Sequence, residues 1–192
     1  MLFRSRYRLQ VRLGVGGMNE VWLAWDDDAR RNVALKILRR DSSADAVRRL
    51  EREAQALRAL RSEHTVRIYD IGASNDGVMF IAMEHLDGAD LDRVVKAYGP
   101  LPAGRAVALV AQACDALAEA HGEGIVHRDV KPSNLFLVRR SRLGDHLKVL
   151  DFGIARRIRG DESRLTMDGD TMGTPHFMAP ESYLGLAPDP RV

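Results

Sequence analysis

Gly14, Gly16 and Gly17 put three glycines into four positions between two strand-like stretches, and that arrangement limits the fold more than any other feature of the chain. Before them "YRLQVRLG" alternates like a strand; after them "EVWLAWD" is apolar and aromatic, again strand-like. A dinucleotide-binding turn needs a helix after its glycines, so that pyrophosphate meets a helix N-terminus, and a Walker loop needs Gly-Lys-Ser/Thr. Neither is present. Two readings stay open: a plain hairpin turn, or a strand–glycine loop–strand flap whose backbone amides cover phosphates.

The rest of the first third extends a sheet. "NVALKIL" is a third strand, and "HTVRIYDIG" and "GVMFIAME" are two more around an "ASNDG" turn. Between them "SSADAVRRLEREAQALRALR" is expected to be a helix, with the stripe Val47, Leu50, Ala54 and Leu57. From Gly88 the pattern turns helical. "ADLDRVVKAYG" is short, and "PAGRAVALVAQACDALAEAHGEG" is long, with an apolar stripe at Val107, Val110, Cys114, Leu117 and His121 and a stop at Gly122. "LFLV" and "LKVLDFG" read as short strands beside polar clusters. The division falls at residues 84–88, between a small β-rich lobe and a helical one.

Composition narrows the function. The 29 basic and 27 acidic residues of the 192 nearly cancel, so no electrostatic footprint for nucleic acid is expected. The lone Cys114 excludes an intrachain disulfide and is expected to be a small core residue. No apolar run reaches membrane-spanning length and the N-terminus is not a signal peptide, so a cytoplasmic protein with no membrane contact in this chain is expected.

Chemistry gathers at a few positions. Lys36 sits inside the apolar strand "VALK", where a charge is costly unless paired. Glu53, near the buried stripe of the helix, could supply the partner; a lysine on the solvent face and one more exposed glutamate are the plainer alternatives. "HRDVKPSN" places Asp129 and Asn134 in one loop, and Asp151 ends the strand "LKVLDFG". Asn134 and Asp151 can hold a divalent cation through oxygen atoms, leaving Asp129 to orient a hydroxyl nucleophile.

Taken in order, "LGVGGMNEV", "VALK", Glu53 in "REA", "MEHLDGADL", "HRDVKPSN", "DFG" and "GTPHFMAPE" resemble the protein kinases, specifically the bacterial eukaryotic-like serine/threonine kinases. The resemblance runs from about residue 7 nearly to the end of the chain. It implies an α+β bilobal fold. Residues 1–84 would form the N-lobe, a five-stranded sheet plus one helix, and residues 85–192 a partial helical C-lobe. It implies transfer of the γ-phosphoryl of ATP, with Mg²⁺ or Mn²⁺, to Ser/Thr hydroxyls of protein substrates. Lys36, held by Glu53, would pair the α- and β-phosphates under Gly14, Gly16 and Gly17. Asp151 and Asn134 would bind the metal, Asp129 would receive or orient the hydroxyl proton, and Lys131 would steady the γ-phosphate.

Leu13, Val21, Ala34 and Phe136 would enclose adenine beside the gatekeeper Met83. The backbone at Glu84 and Leu86 would hydrogen-bond the base, and Asp90 would reach the ribose. His127 and Phe152 would stack with Leu57 and Ile68 as an internal spine. Thr174 would contact Asp129 and Lys131, and Thr166 and Thr171 would be phosphorylation sites.

Three departures from the family pattern stand out. Asn19 replaces a third glycine, where its tolerance of positive φ would preserve the turn. Asp168 and Asp170 stand where threonines are usual, and would supply part of the charge of an activating phosphate. The helices that complete the family's large lobe are missing after Glu181, leaving the helix around Val107–His121 partly uncovered. A fragment of a longer kinase, or a truncated, non-catalytic ATP-binding or interaction module, are the alternatives for this chain.

Overall fold

The computed structural model describes residues 2–16, 19–38, 56–74, 77–139, 144–152, 177 and 179. The small lobe is an antiparallel sheet in which β1 (Leu2–Phe3), β2 (Tyr7–Gly16), β3 (Asn19–Asp26), β4 (Arg31–Leu38), β5 (Ile68–Ala73) and β6 (Met79–Glu84) lie in the order β1-β2-β3-β4-β6-β5. The five-stranded expectation is corrected to six among the described residues, because Leu2 and Phe3 double back on Arg8 and Tyr7. Residues 56–59 are helical within the stretch expected to be a helix.

Alternation explains the sheet. One face buries Tyr7, Ala24, Val33, Leu35, Phe80 and Ala82 in a cluster of their own. Along β4 the pattern is continuous, with Val33 to Lys36 all buried, as expected of a central strand covered on both faces. The outer edge is locked by charge. Arg6 donates through Nε and Nη2 to the two carboxylate oxygens of Asp26, both at 2.8 Å, and through Nη1 to Asp70 at 3.2 Å. Tyr7 adds its hydroxyl to Asp70 at 3.1 Å.

β7 (Gly88–Asp90) leads into α1 (Leu91–Tyr98), and α2 (Ala103–Gly122) comes next. Asp90 caps α1 by accepting from the Arg93 backbone N–H at 2.9 Å. A short 3₁₀ turn, Pro132–Asn134, precedes β8 (Leu135–Val138), which pairs with β7 and with β9 (His146–Val149). Gly88 is obligatory: its φ is +153°, and a Cβ there would lie 2.1 Å from the Leu137 carbonyl oxygen.

The buried face of α2 differs from the expected stripe. Leu109, Ala113, Ala116 and Ala120 are buried, joining Leu147 and Val149 in the largest core. Val107 and Val110 are exposed, and so is Cys114, which corrects its reading as a core residue. The inward row is mostly alanine, which lets the helix approach β9 closely; periodicity weighted by side-chain size favoured the bulkier outward row.

The two lobes share backbone hydrogen bonds. The Val149 N–H donates to the His64 carbonyl at 2.7 Å, and the Val66 N–H donates to the Val149 carbonyl at 3.0 Å. Glu119 of α2 accepts from the N–H groups of Arg61 and Ser62 at 2.7 and 2.8 Å. The segment from residue 61 to 66 is thereby fastened to the helical lobe.

The Arg6–Asp26 pair makes stability pH-dependent. Arg6's hydrogen bonds hold the Asp26 carboxyl below the ordinary aspartate value of 3.8, against the effect of burial. A depressed carboxyl contributes stability that is full above the unfolded value and drains as pH falls through the folded one. Asp26→Asn should cost about 2–3 kcal/mol at neutral pH. In urea titrations from about pH 5 to about pH 3 it should also lose less further stability than the wild type.

Candidate functional site

The site lies where β4 of the small lobe faces the end of β9. Lys36 is buried, with β3 on one side through Val21 and β6 on the other through Ile81. Its ammonium meets Asp151 Oδ1 at 2.7 Å. Desolvation works to raise the Asp151 carboxyl, but the charge and hydrogen bond of Lys36 override it and hold the group below the ordinary aspartate range. Asp151 has φ of +50°, a left-handed conformation in a non-glycine residue. Glu53, the expected partner of Lys36, lies outside the described residues.

The loop between α2 and β8 gathers three expected residues. Asn134 is buried and donates through Nδ2 to the Asp129 carbonyl at 2.7 Å and to Asp129 Oδ2 at 3.1 Å. Two acceptors fix the orientation of the amide, which reserves its oxygen for another partner. Lys131 Nζ lies 2.8 Å from Asp129 Oδ2. Leu150, the residue before Asp151, donates its N–H to the Asn134 carbonyl at 2.8 Å, which ties this loop to the strand end.

Beneath them His127 is almost wholly inaccessible and stacks on Phe152, with ring centroids 4.8 Å apart. Its Nδ1 accepts from the Asp129 N–H at 3.2 Å, and its Nε2 lies 2.8 Å from the Leu150 carbonyl. An N–H donor at one nitrogen and a carbonyl acceptor at the other define a neutral ring protonated on Nε2. Burial accordingly pulls its pKa below 6.5. Leu57 and Phe152 share the largest core cluster, with Ile68 packed against it.

Across the cleft Ala34, Met83 and Val66 form a small buried cluster against which Val21, Leu86 and Leu150 pack. Four of these were expected around an adenine; Val66 and Leu150 were not, being indistinguishable in sequence from other strand residues. Leu13 is substantially exposed on β2. Phe136 pairs in register with Asp90 and with Lys148. A Cβ at Gly14 would meet nothing within 4 Å, so packing inside the protein does not demand that glycine. Gly16 pairs with Asn19 across the hairpin, and Gly17 lies outside the described residues. Asn19 is an ordinary strand residue, absent from the described positive-φ positions, so the expected use of its left-handed tolerance is corrected. Asp90 is engaged with Arg93, whose Nε lies 3.2 Å from its second oxygen. Thr166, Asp168, Asp170, Thr171 and Thr174 lie outside the described residues.

Residues 7–186 match the family model described as protein kinase domain. The chain belongs to the protein kinase family. It is 40% identical over 190 residues to the serine/threonine-protein kinase pkn3 of Myxococcus xanthus, covering 97% of this chain and 35% of that protein. It is 41% identical over 192 residues to the serine/threonine-protein kinase PknB of Mycobacterium leprae, covering 97% of this chain and 30% of that one. The kinase domain thus spans about a third of the curated relatives it matches. It is also similar to the crystal structure of the Mycobacterium tuberculosis PknI kinase domain, with a TM-score of 0.75 and 28% identity over all of this chain and 69% of that one. The bilobal kinase fold expected from the motifs is therefore the fold of this chain. Among its described residues no helix is long and apolar enough to cross a membrane.

A second buried lysine of the kinase domain escaped the sequence reading. Lys148 lies within β9 and pairs with Glu84 at 2.6 Å. The signal was present, since a lysine inside "LKVL" is the same anomaly that singled out Lys36 in "VALK".

The state of His127 can be read by NMR. Long-range ¹H–¹⁵N spectra should show the neutral ring protonated on Nε2, and an acid titration should place its charging below the ordinary histidine value of 6.5. Charging above that value, or a neutral ring protonated on Nδ1, would contradict the hydrogen-bond pattern.

Proposed function

We propose that this chain is the ATP-binding and catalytic part of a serine/threonine protein kinase that transfers the γ-phosphoryl of ATP to Ser/Thr hydroxyls of protein substrates. The observation that carries the reading is the convergence of Asp129, Lys131 and Asn134 in one hydrogen-bonded loop, joined through Leu150 to Asp151 and Lys36. Two lysines, two aspartates and an asparagine, drawn from two lobes, are joined in one run of contacts. Relatives named as serine/threonine kinases support the choice of hydroxyl substrate.

In this reading Val21, Ala34, Met83, Leu86 and Phe136 hold the purine, Glu84 and Leu86 offer it backbone groups, and Gly14, Gly16 and Gly17 let the loop close over the phosphates. Lys36 neutralises the α- and β-phosphates. The Asp151 carboxylate and the Asn134 amide oxygen are hard oxygen donors suited to Mg²⁺ or Mn²⁺. The cation, when bound, supplies charge neutralisation across the phosphates. The substrate hydroxyl attacks the γ-phosphorus as its proton passes to the Asp129 carboxylate, and the bond to the β-phosphate oxygen breaks to release ADP. Lys131, already beside Asp129, holds the transferring group in line. Asp90 would reach a ribose hydroxyl by exchanging its contact with Arg93. A cytoplasmic location and activation through Thr166 or Thr171 belong to the same reading.

The test is incorporation of labelled phosphate from [γ-³²P]ATP and Mg²⁺ into the chain itself and into a Ser/Thr-containing protein. Asp129→Asn should lower incorporation about 10²–10⁴-fold while fluorescent-nucleotide binding persists. Phosphoamino-acid analysis should find phosphoserine or phosphothreonine. Equal incorporation by the variant would overturn the assignment. Nucleotide binding without transfer by the wild type would instead make the chain a binding module.

A further inference from the structure

Three segments meet behind the cleft at the nearly buried Lys148, which is 9% exposed. From β9 its Nζ donates to Glu84 Oε1 at 2.6 Å and to the Thr65 carbonyl at 3.1 Å. Glu84 Oε1 also accepts from the Arg67 N–H at 2.7 Å, and the Glu84 N–H donates to the Arg67 carbonyl at 2.9 Å. One carboxylate oxygen and one ammonium thus join the end of β6, the segment 65–67 and β9.

Their position makes the junction more than structural filler. Glu84 comes directly after Met83, at the point where the chain leaves the small lobe. Lys148 stands directly across from Phe136 in the β8–β9 register, and residues directly opposite share a sheet face. The Glu84–Lys148 pair therefore ties the strand that carries Met83 to the sheet that carries Phe136. The two side chains are only 11% and 20% exposed, so parting would leave each short of its counter-charge in a place that water reaches little.

We infer that Lys148 and Glu84 form a strut that fixes the height of the purine cleft, making Lys148 a positioning residue for nucleotide affinity; the inference rests on the kinase reading above. The strut touches neither Asp129 nor Lys131, so its loss acts on how tightly nucleotide is held rather than on phosphoryl transfer once bound. Coupling through such a pair corresponds to a roughly 3- to 30-fold change in an equilibrium constant.

The test measures the dissociation constant and off-rate of a fluorescent ADP analogue for the wild-type chain, Lys148→Met, Glu84→Gln and the double variant. Circular dichroism establishes that each is folded. Lys148→Met should weaken binding roughly 3- to 30-fold, mainly through faster release. KM for ATP should rise by a similar factor while kcat changes little. Glu84→Gln keeps an acceptor for Arg67 and nearly the same shape, so it reports on the strut even where Lys148→Met fails to fold. The double variant should lose no more than the worse single one. Unchanged or tighter binding in a folded variant, strictly additive losses, or a fall in kcat at constant KM would overturn the strut and leave the kinase reading intact. A wild-type chain that binds no nucleotide would overturn both.

Discussion

A lysine held almost out of water sets the terms for the whole molecule. Lys36 is enclosed by the strands on either side of β4, and its compensating charge comes from Asp151 in the other lobe. An ammonium so enclosed is tolerated only when it is paired and hydrogen-bonded. Among the described residues that charge ties the small lobe to the helical one. Asp151 reaches the lysine from a left-handed backbone conformation, and Arg128, just before Asp129, has φ of +64°. Non-glycine residues in that region carry strain of about 1–2 kcal/mol, which the surrounding contacts must override. Here those contacts are the His127 ring bridging the two loops and the Leu150–Asn134 backbone bond.

How much of this was legible in the chain depended on the kind of signal. The strands of the small lobe announced themselves through alternation, and the two lobes through the change at residues 84–88. Lys36, Asp129, Asn134 and Asp151 were legible because charged or amide groups at strand ends and in apolar runs need a reason to be there. The closeness of Lys131 and Asn134 to Asp129 is a consequence of the short loop that carries them.

What escaped reading has physical causes too. Alanine carries a weak hydrophobic signal, so the face of α2 formed by Ala113, Ala116 and Ala120 lost to the louder stripe of Val107 and Val110. Val66 and Leu150 belong to the cleft only because distant segments meet there, which no local pattern encodes. The short strand Leu2–Phe3 is held by its two-residue pairing with β2, too brief to leave a period. Lys148 repeated the signal of Lys36, but its partner Glu84 stands 64 positions away, a distance no local pattern spans.

The backbone ladder between residues 64–66 and Val149 has a consequence for how such a chain comes into being. These bonds join residues more than eighty positions apart, so the small lobe contains a gap in its own hydrogen bonding until β9 exists. During synthesis the amide of Val66 and the carbonyl of His64 have no ladder partner before residue 149 has left the ribosome. The lobes are therefore not two beads on a string, of which the first is finished before the second begins. Cutting the connection near residue 86 after folding would leave them joined by these peptide groups together with the Lys36–Asp151 and Lys148–Glu84 pairs.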